Sequence, residues 1–138
     1  MAVKILAKQY SGVDSVFNLS RNKDDMFLFH GDFPNNKNSR FNGIKLSFML
    51  HFPSDYPFSP PILLSAPPIF HPNFDSVGML ALEDFNKEFW CPANSINTFL
   101  HTIWSIIDDP ILCKSNNFAT EIWNDRKEYD EILKSSQI

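Results

Sequence analysis

Seven of the ten prolines fall between Pro53 and Pro72, and this cluster constrains the fold more than any other feature of the sequence. Proline fixes the backbone φ angle and has no N–H group, so a segment this rich in proline cannot form a helix or the interior of a sheet. Only Ile62 to Ser65 leaves room for a strand. The segment therefore predicts a rigid, irregular connection between two parts of the chain with different periodicities.

The part before the proline cluster has the two-residue period of β-strands. Apolar and polar side chains alternate through residues 44–52, which predicts a strand with one buried face. Two shorter apolar runs, residues 13–20 and 26–33, contain phenylalanine and are separated by the polar residues 21–25. This pattern predicts two further strands joined by a polar turn.

Helical periodicity occurs at both ends of the chain. Residues 2–9 predict a short amphipathic helix. Its predicted inward side chains are Val3, Leu6 and Ala7. Residues 96–107 are largely apolar at helical spacing and predict a central helix capped by Asn94 or Ser95. Residues 118–133 predict one last, more exposed helix.

The order of these elements predicts an α+β fold in a single domain over residues 1–138. A short N-terminal helix precedes a four-stranded antiparallel meander, in which Ile62 to Ser65 is the fourth strand. A long structured loop over residues 73–93 follows, and two or more C-terminal helices pack on one face of the sheet.

Composition excludes several classes of function. The net charge of −4 provides no excess of positive charge for binding nucleic acid. No apolar run approaches the roughly 20 residues of a membrane span, so we expect no membrane insertion. Cys91 and Cys113 form no disulfide framework or metal motif, so we expect free thiols, no metal and no cofactor. These features favour a cytoplasmic protein, with the nucleus as the alternative compartment.

The proline cluster is also the first of several motifs whose spacing resembles the ubiquitin-conjugating enzyme family. The resemblance covers about residues 4–133. It implies the fold of that family and a connection with the transfer of ubiquitin through a thioester. The matching motifs are His-Phe-Pro-x-x-Tyr-Pro-Phe-x-Pro-Pro at 51–61, His-Pro-Asn at 71–73, Gly78, Trp90-x-Pro92-Ala93 and Asp109-Pro110.

One departure from the family pattern is decisive. Family enzymes place the cysteine that accepts ubiquitin eight residues after the Asn of His-Pro-Asn, and this chain has Ala81 there. A methyl group cannot accept an acyl chain, so the resemblance implies a vestigial site with no catalytic residue. Its members are His71, Pro72, Asn73 and Ala81. Without a nucleophile to support, Asn73 is interpreted as an amide that organises a loop.

A second departure follows Pro110. Family members often have Asn-Pro-x-Asp-Pro after this proline, with an acid that helps to deprotonate the incoming lysine, whereas residues 111–114 read Ile-Leu-Cys-Lys. Cys91 lies in a loop used for ligase contact, so a relocated nucleophile at that position is not favoured. Both features support an inactive chain.

The resemblance also implies surfaces for protein partners. A candidate apolar patch matches family positions that contact RING or HECT ligases, and it consists of Phe58, Cys91, Pro92 and Ala93. The alternative is that Phe58 only covers the sheet edge. On the central helix, His101 and Ser105 match positions over which the family folds its bound ubiquitin.

The sequence therefore favours a catalytically inactive family member that acts as a binding partner or adaptor. The partners implied are an active ubiquitin-conjugating enzyme, a ubiquitin ligase, ubiquitin, or a Hook-type trafficking adaptor. The last follows from a similarity to the Fused Toes (AKT-interacting protein) group at residues 8–13 and 68–72. Two alternatives remain: an active enzyme whose cysteine was engineered to Ala81, and a domain with no connection to ubiquitin.

Overall fold

The computed structural model describes residues 2–81, 90–112 and 117–135, which form four α-helices, one 3-10 turn and a four-stranded sheet. The strands lie in chain order and each pair is antiparallel, which confirms the predicted α+β meander. The strands are β1 (Ser20–Arg21), β2 (Leu28–Phe33), β3 (Leu46–His51) and β4 (Ile62–Ser65). The helices are α1 (Ala2–Ser11), α2 (Ile96–Asp108), α3 (Asn117–Ile122) and α4 (Arg126–Ser135).

The centre of the sheet is the pairing of β2 with β3, and it follows the predicted alternation. Leu46, Phe48 and Leu50 are buried on one face of β3, while the residues between them are more exposed. Gly31 lies opposite Phe48 in β2. A Cβ atom at Gly31 would come within 2.7 Å of the Phe48 ring and 2.8 Å of the Phe17 carbonyl oxygen, so the close approach of these elements requires glycine.

The proline cluster is irregular except at β4, as predicted, and the chain after it returns along the edge of that strand. Ser65 N–H donates to the Gly78 carbonyl at 2.7 Å, and Leu80 N–H donates to the Leu63 carbonyl at 2.9 Å. Gly78 has a φ of 94°, and a Cβ there would lie 2.4 Å from the Ser65 carbonyl oxygen. This edge contact fixes the position of Ala81, the next residue after Leu80.

Helix α2 provides the apolar layer that the sheet needs on its inner face. Ser95 is the N-cap, and its side-chain oxygen accepts a hydrogen bond from Thr98 N–H at 3.1 Å. The helix side chains that are buried recur at helical spacing and join the sheet residues in one core. They are Ile96, Phe99, Leu100, Ile103, Ile106 and Ile107.

The predicted first strand over residues 13–20 is wrong for most of its length, because only Ser20 and Arg21 pair with β2. Residues 15–17 form a 3-10 turn instead. The Asp14 carboxylate accepts a hydrogen bond from Val16 N–H at 3.2 Å, and this local capping contact competes with strand formation. Phe17 is buried by the turn rather than by a strand.

Two helix predictions also need correction. The single last helix is two helices, since the chain turns at residues 123–125 and the Asp125 carboxylate accepts a hydrogen bond from Glu128 N–H at the start of α4. Phe118, in the first of these helices, is exposed. In α1 the buried residues are Ala2 and Leu6, one helical turn apart. Val3 and Ala7 are therefore exposed, contrary to the prediction.

Candidate functional site

Ala81, the residue at the predicted nucleophile position, is held beside the His-Pro-Asn motif by a short returning loop. Ala81 N–H donates to the Asn73 carbonyl at 2.9 Å, and Phe74 forms a β-bridge with Leu80. Within the loop, the Asp75 carboxylate accepts a hydrogen bond from Met79 N–H at 2.9 Å. The eight-residue spacing therefore closes into a loop, and Ala81, only 4% exposed, lies at its end.

The Asn73 side chain connects this loop to the segment that follows α2. Its Nδ2 donates to the Ile111 carbonyl at 2.7 Å, and its Oδ1 accepts from Ile111 N–H at 2.9 Å. Asn73 has no solvent-exposed surface, so its carboxamide makes both bonds from a buried position, whereas Ile111 is 38% exposed. This two-bond pairing of one amide with the backbone is the contact expected of an amide that organises a loop.

His71 is fixed in one tautomer by hydrogen bonds to the backbone of Asn73, Ile106 and Ile107. Its Nδ1 accepts a hydrogen bond from Asn73 N–H at 3.0 Å, which is possible only if Nδ1 carries no proton. Nε2 therefore carries the proton and donates to the carbonyls of Ile106 and Ile107, at 3.1 and 3.0 Å, in the last turn of α2. Complete burial of the imidazole lowers the pKa of His71 to about 4. The ring is neutral and bound to the backbone.

These contacts bring His71, Asn73 and Ala81 together, with the buried Pro72 between the first two. The Ala81 methyl group has no atom that can form a thioester. Of the two cysteines, Cys91 is exposed, and Cys113 lies outside the described residues, as do Lys114 and residues 82–89. Among the residues that the structure describes, no group of three His, Cys, Asp or Glu side chains could hold a metal ion.

The candidate partner residues lie on a second surface, where two loops meet. Phe58 is 64% exposed, and Cys91, Pro92 and Ala93 are exposed on the other loop. The Trp90 indole N–H donates to the Pro57 carbonyl at 2.9 Å and thereby joins the two loops. We call the surface formed by Phe58, Cys91, Pro92 and Ala93 the two-loop patch.

Gln9, which is not among the predicted site residues, forms hydrogen bonds next to this patch. Gln9 Oε1 accepts hydrogen bonds from the Tyr56 hydroxyl at 2.6 Å and from Ile96 N–H at 3.1 Å. It therefore joins α1 to the proline cluster and to the start of α2. A groove of about 550 Å³ runs beside it. The groove is lined by Ile5, Lys8, Gln9, Gly12, Pro57, Pro92, Ser95 and Asn97.

His101 and Ser105 lie on the more exposed side of α2, one helical turn apart. His101 Nε2 is 3.5 Å from an Asp14 carboxylate oxygen, and its ring packs edge-on against Phe17 with centroids 4.9 Å apart. The Ser105 hydroxyl donates to the Thr102 carbonyl within the helix. The part of His101 that packs on Phe17 is thus not available to a partner.

Arg40 is a further structural residue that sequence inspection did not find. Its guanidinium lies 3.6 Å from the centre of the Trp123 ring and donates to the Trp123 carbonyl at 2.9 Å. The adjacent Phe41 is buried and packs against the His71 ring, with centroids 5.8 Å apart. The loop before β3 therefore closes the buried side of the site. A single arginine in a polar loop gives no signal for this role.

Burial of His71 predicts a specific dependence of stability on pH. The unfolded chain takes up a proton at this histidine below its ordinary pKa of 6.5, whereas the folded chain does so only near pH 4. The free energy of unfolding should therefore fall as the pH is lowered between these values, by about 3 kcal/mol in total from this group. Urea unfolding across this pH range measures the loss.

Matched histidine variants assign that pH dependence. His71→Gln should be less stable at neutral pH but should lose this part of the pH dependence. His51→Gln, which removes a half-exposed ring, should retain it. An unchanged pH dependence in His71→Gln would contradict the assignment.

Comparison with models of known protein families gives one match, to the family described as ubiquitin-conjugating enzyme, over residues 5–137. Membership of this family implies protein partners such as ubiquitin or ubiquitin ligases. Separately, none of the helices among the described residues has the length and apolar character needed to cross a bilayer. The match extends over nearly the whole chain and includes the His-Pro-Asn loop, Ala81 and both loops of the patch, and the chain belongs to the ubiquitin-conjugating enzyme family.

Proposed function

We propose that this chain is a catalytically inactive member of its family that acts as a binding partner or adaptor in ubiquitin-related or trafficking complexes. The observation that carries the proposal is Ala81 at the nucleophile position. The side chain is a buried methyl group, held against the Asn73 backbone. Thioester formation needs a thiolate at this point, and no neighbouring described residue supplies one.

The remaining members of the site support this proposal because their polar atoms already bind the backbone. Asn73 uses both ends of its carboxamide on Ile111, and His71 uses both ring nitrogens on the backbone. An oxyanion would compete with the Ile111 carbonyl for the Asn73 amide. The hydrogen bonds of His71 and Asn73 therefore give both side chains a structural role that does not require a reaction.

Binding is supported by the two-loop patch. An exposed phenylalanine beside a proline is a typical centre for a small protein interface, because its ring can be desolvated by a partner. At 64% exposure, Phe58 leaves most of its side chain open to a partner. The Trp90–Pro57 hydrogen bond and the Gln9 contacts hold both loops in place before a partner arrives, which lowers the entropic cost of binding.

A ligase-type domain is the first partner that we propose for this patch, because the patch is apolar and small. An active ubiquitin-conjugating enzyme, ubiquitin itself and a Hook-type trafficking adaptor are the other proposed partners. A role for His101 and Ser105 in contacting ubiquitin remains a proposal for a partner that brings ubiquitin with it.

Restoring a cysteine tests whether the missing nucleophile alone accounts for inactivity. The unmodified chain and Ala81→Cys are each incubated with ubiquitin-activating enzyme, ATP and ubiquitin and examined on a non-reducing gel. We expect no reducible adduct on the unmodified chain and an adduct on Ala81→Cys, because the loop already places residue 81 beside Asn73.

Two further variants test which side chain accepts ubiquitin. Any adduct formed on an Ala81→Ser variant should resist reducing agent, because an ester replaces the thioester. A reducible adduct on the unmodified chain that disappears in Cys91→Ser would contradict the proposal. Absence of an adduct on Ala81→Cys would show that activating-enzyme recognition is also lost, and would leave the adaptor function without a link to ubiquitin.

The two-loop patch makes a separate prediction about binding. Phe58→Ala should weaken association with a RING domain by about tenfold or more, the cost of removing a central aromatic side chain from an interface. Isothermal titration calorimetry measures the change. Val77→Ala is the matched control, since Val77 is equally exposed at 64% but lies on the loop before Ala81. Equal weakening by both variants, or none by Phe58→Ala, would contradict a role for the patch.

A further inference from the structure

The loop between β2 and β3 contains the one Asn-Gly pair in the sequence, Asn42–Gly43. Both residues are exposed, and Gly43 adopts a φ of 84° in a turn closed by a 3.0 Å hydrogen bond from Ile44 N–H to the Phe41 carbonyl. A Cβ at Gly43 would meet no atom within 4 Å. The main-chain nitrogen of a glycine in such open space can approach the preceding side chain without steric hindrance.

A single side chain, Asn35, binds both reactive groups of this pair. Its Oδ1 accepts a hydrogen bond from Gly43 N–H at 2.8 Å, and its Nδ2 donates to Asn42 Oδ1 at 2.9 Å. The first bond holds the proton on the nitrogen that would act as nucleophile. The second fixes the orientation of the carboxamide that this nitrogen would attack.

We propose that Asn42–Gly43 is a site of spontaneous deamidation whose rate is controlled by the Asn35 side chain. The Gly43 nitrogen loses its proton and bonds to Asn42 Cγ, the Cγ–Nδ2 bond breaks, and ammonia leaves with that proton. Water then opens the resulting succinimide at either carbonyl and gives aspartate or isoaspartate. The reaction needs water alone and involves no oxidation or reduction.

Opening of the Asn35 contact is the step that starts this reaction. While Gly43 N–H is bound, its deprotonation would place negative charge against the Asn35 carbonyl oxygen, which opposes the reaction. Conversion to isoaspartate inserts one carbon into the main chain after Asn42 and displaces Gly43 from Asn35. The neighbouring Phe41 packs on His71, so the modification acts one residue away from the buried side of the candidate site.

The sequence permits a direct test with the full chain. Trypsin cleaves after Arg40 and Lys45 and releases residues 41–45, in which Asn42 is the only asparagine. After incubation at mildly alkaline pH and physiological temperature, mass spectrometry measures the exchange of the amide for a carboxyl group in this peptide. Chromatography against synthetic standards separates the aspartate and isoaspartate forms.

Three samples are compared with the folded, unmodified chain. Asn35→Ala should convert several-fold faster, and the urea-unfolded chain should convert faster as well. Lys37→Ala, an exposed change in the same loop, should convert at the unmodified rate. Equal rates in Asn35→Ala and the unmodified chain, with both shown to be folded by circular dichroism, would overturn the proposal, as would an absence of conversion in the unfolded chain.

Amide hydrogen exchange provides a measurement that needs no variant to fold. The Gly43 N–H of the unmodified chain should exchange much more slowly than in the unfolded chain, because Asn35 must release it first. Exchange at the unfolded rate, together with slow deamidation, would show that Asn35 does not control the site and would overturn the proposal.

Discussion

The pairing of the Asn73 carboxamide with the backbone of Ile111 is the interaction on which the rest of the candidate site depends. It joins the loop after the proline cluster to the chain leaving α2, two segments that no strand pairing connects among the described residues. His71 supports the same junction through the last turn of α2. Because the His71 and Asn73 side chains are buried, loss of a partner would leave an unsatisfied polar atom of either side chain away from water, at a cost of about 1–3 kcal/mol.

This arrangement means that the loop around residue 81 needs no side-chain nucleophile to hold its structure. Replacing a thiol with a methyl group at residue 81 removes no hydrogen bond that holds the loop, since Ala81 uses only its backbone N–H to bind Asn73. Loss of Asn73 or His71 would disturb the core itself. The side chain of residue 81 can therefore change without loss of the contacts that hold the fold, whereas the side chains of His71 and Asn73 cannot. The two-loop patch is supported by different contacts, at Trp90 and Gln9, so its geometry does not depend on the side chain of residue 81.

Sequence patterns predicted the parts of the fold in which burial decides the structure. The alternation in β3, the apolar face of α2 and the position of β4 each follow from side-chain periodicity. The predicted strand and helix bounds were wrong where hydrogen bonds between nearby residues determine the local structure. Asp14 caps a 3-10 turn in place of a strand, and Asp125 starts a separate last helix.

The candidate site was predictable only in part. The spacing of His-Pro-Asn and Ala81 identified the residues that meet, because the family pattern encodes that loop. Neither periodicity nor motif spacing identifies the contacts of Gln9, Arg40 or Asn35, since each acts on backbone or ring atoms of residues distant in the chain or across a turn. Single polar residues in loops carry no periodic signal, so only the folded structure shows what they bind.

The central claim is that the Asn73 carboxamide joins its loop to the segment that follows α2. Its most direct test is the free energy of unfolding of Asn73→Ala measured in urea. Removal of the carboxamide leaves the Ile111 N–H and carbonyl without their Asn73 contacts, and we expect a loss of about 1–3 kcal/mol, the net contribution of two hydrogen bonds. Asn38→Ala, which removes an exposed carboxamide from another loop, is the control and should cost much less. Unchanged stability in Asn73→Ala would contradict the account, because it would mean that Asn73 is present for a reaction rather than for the fold.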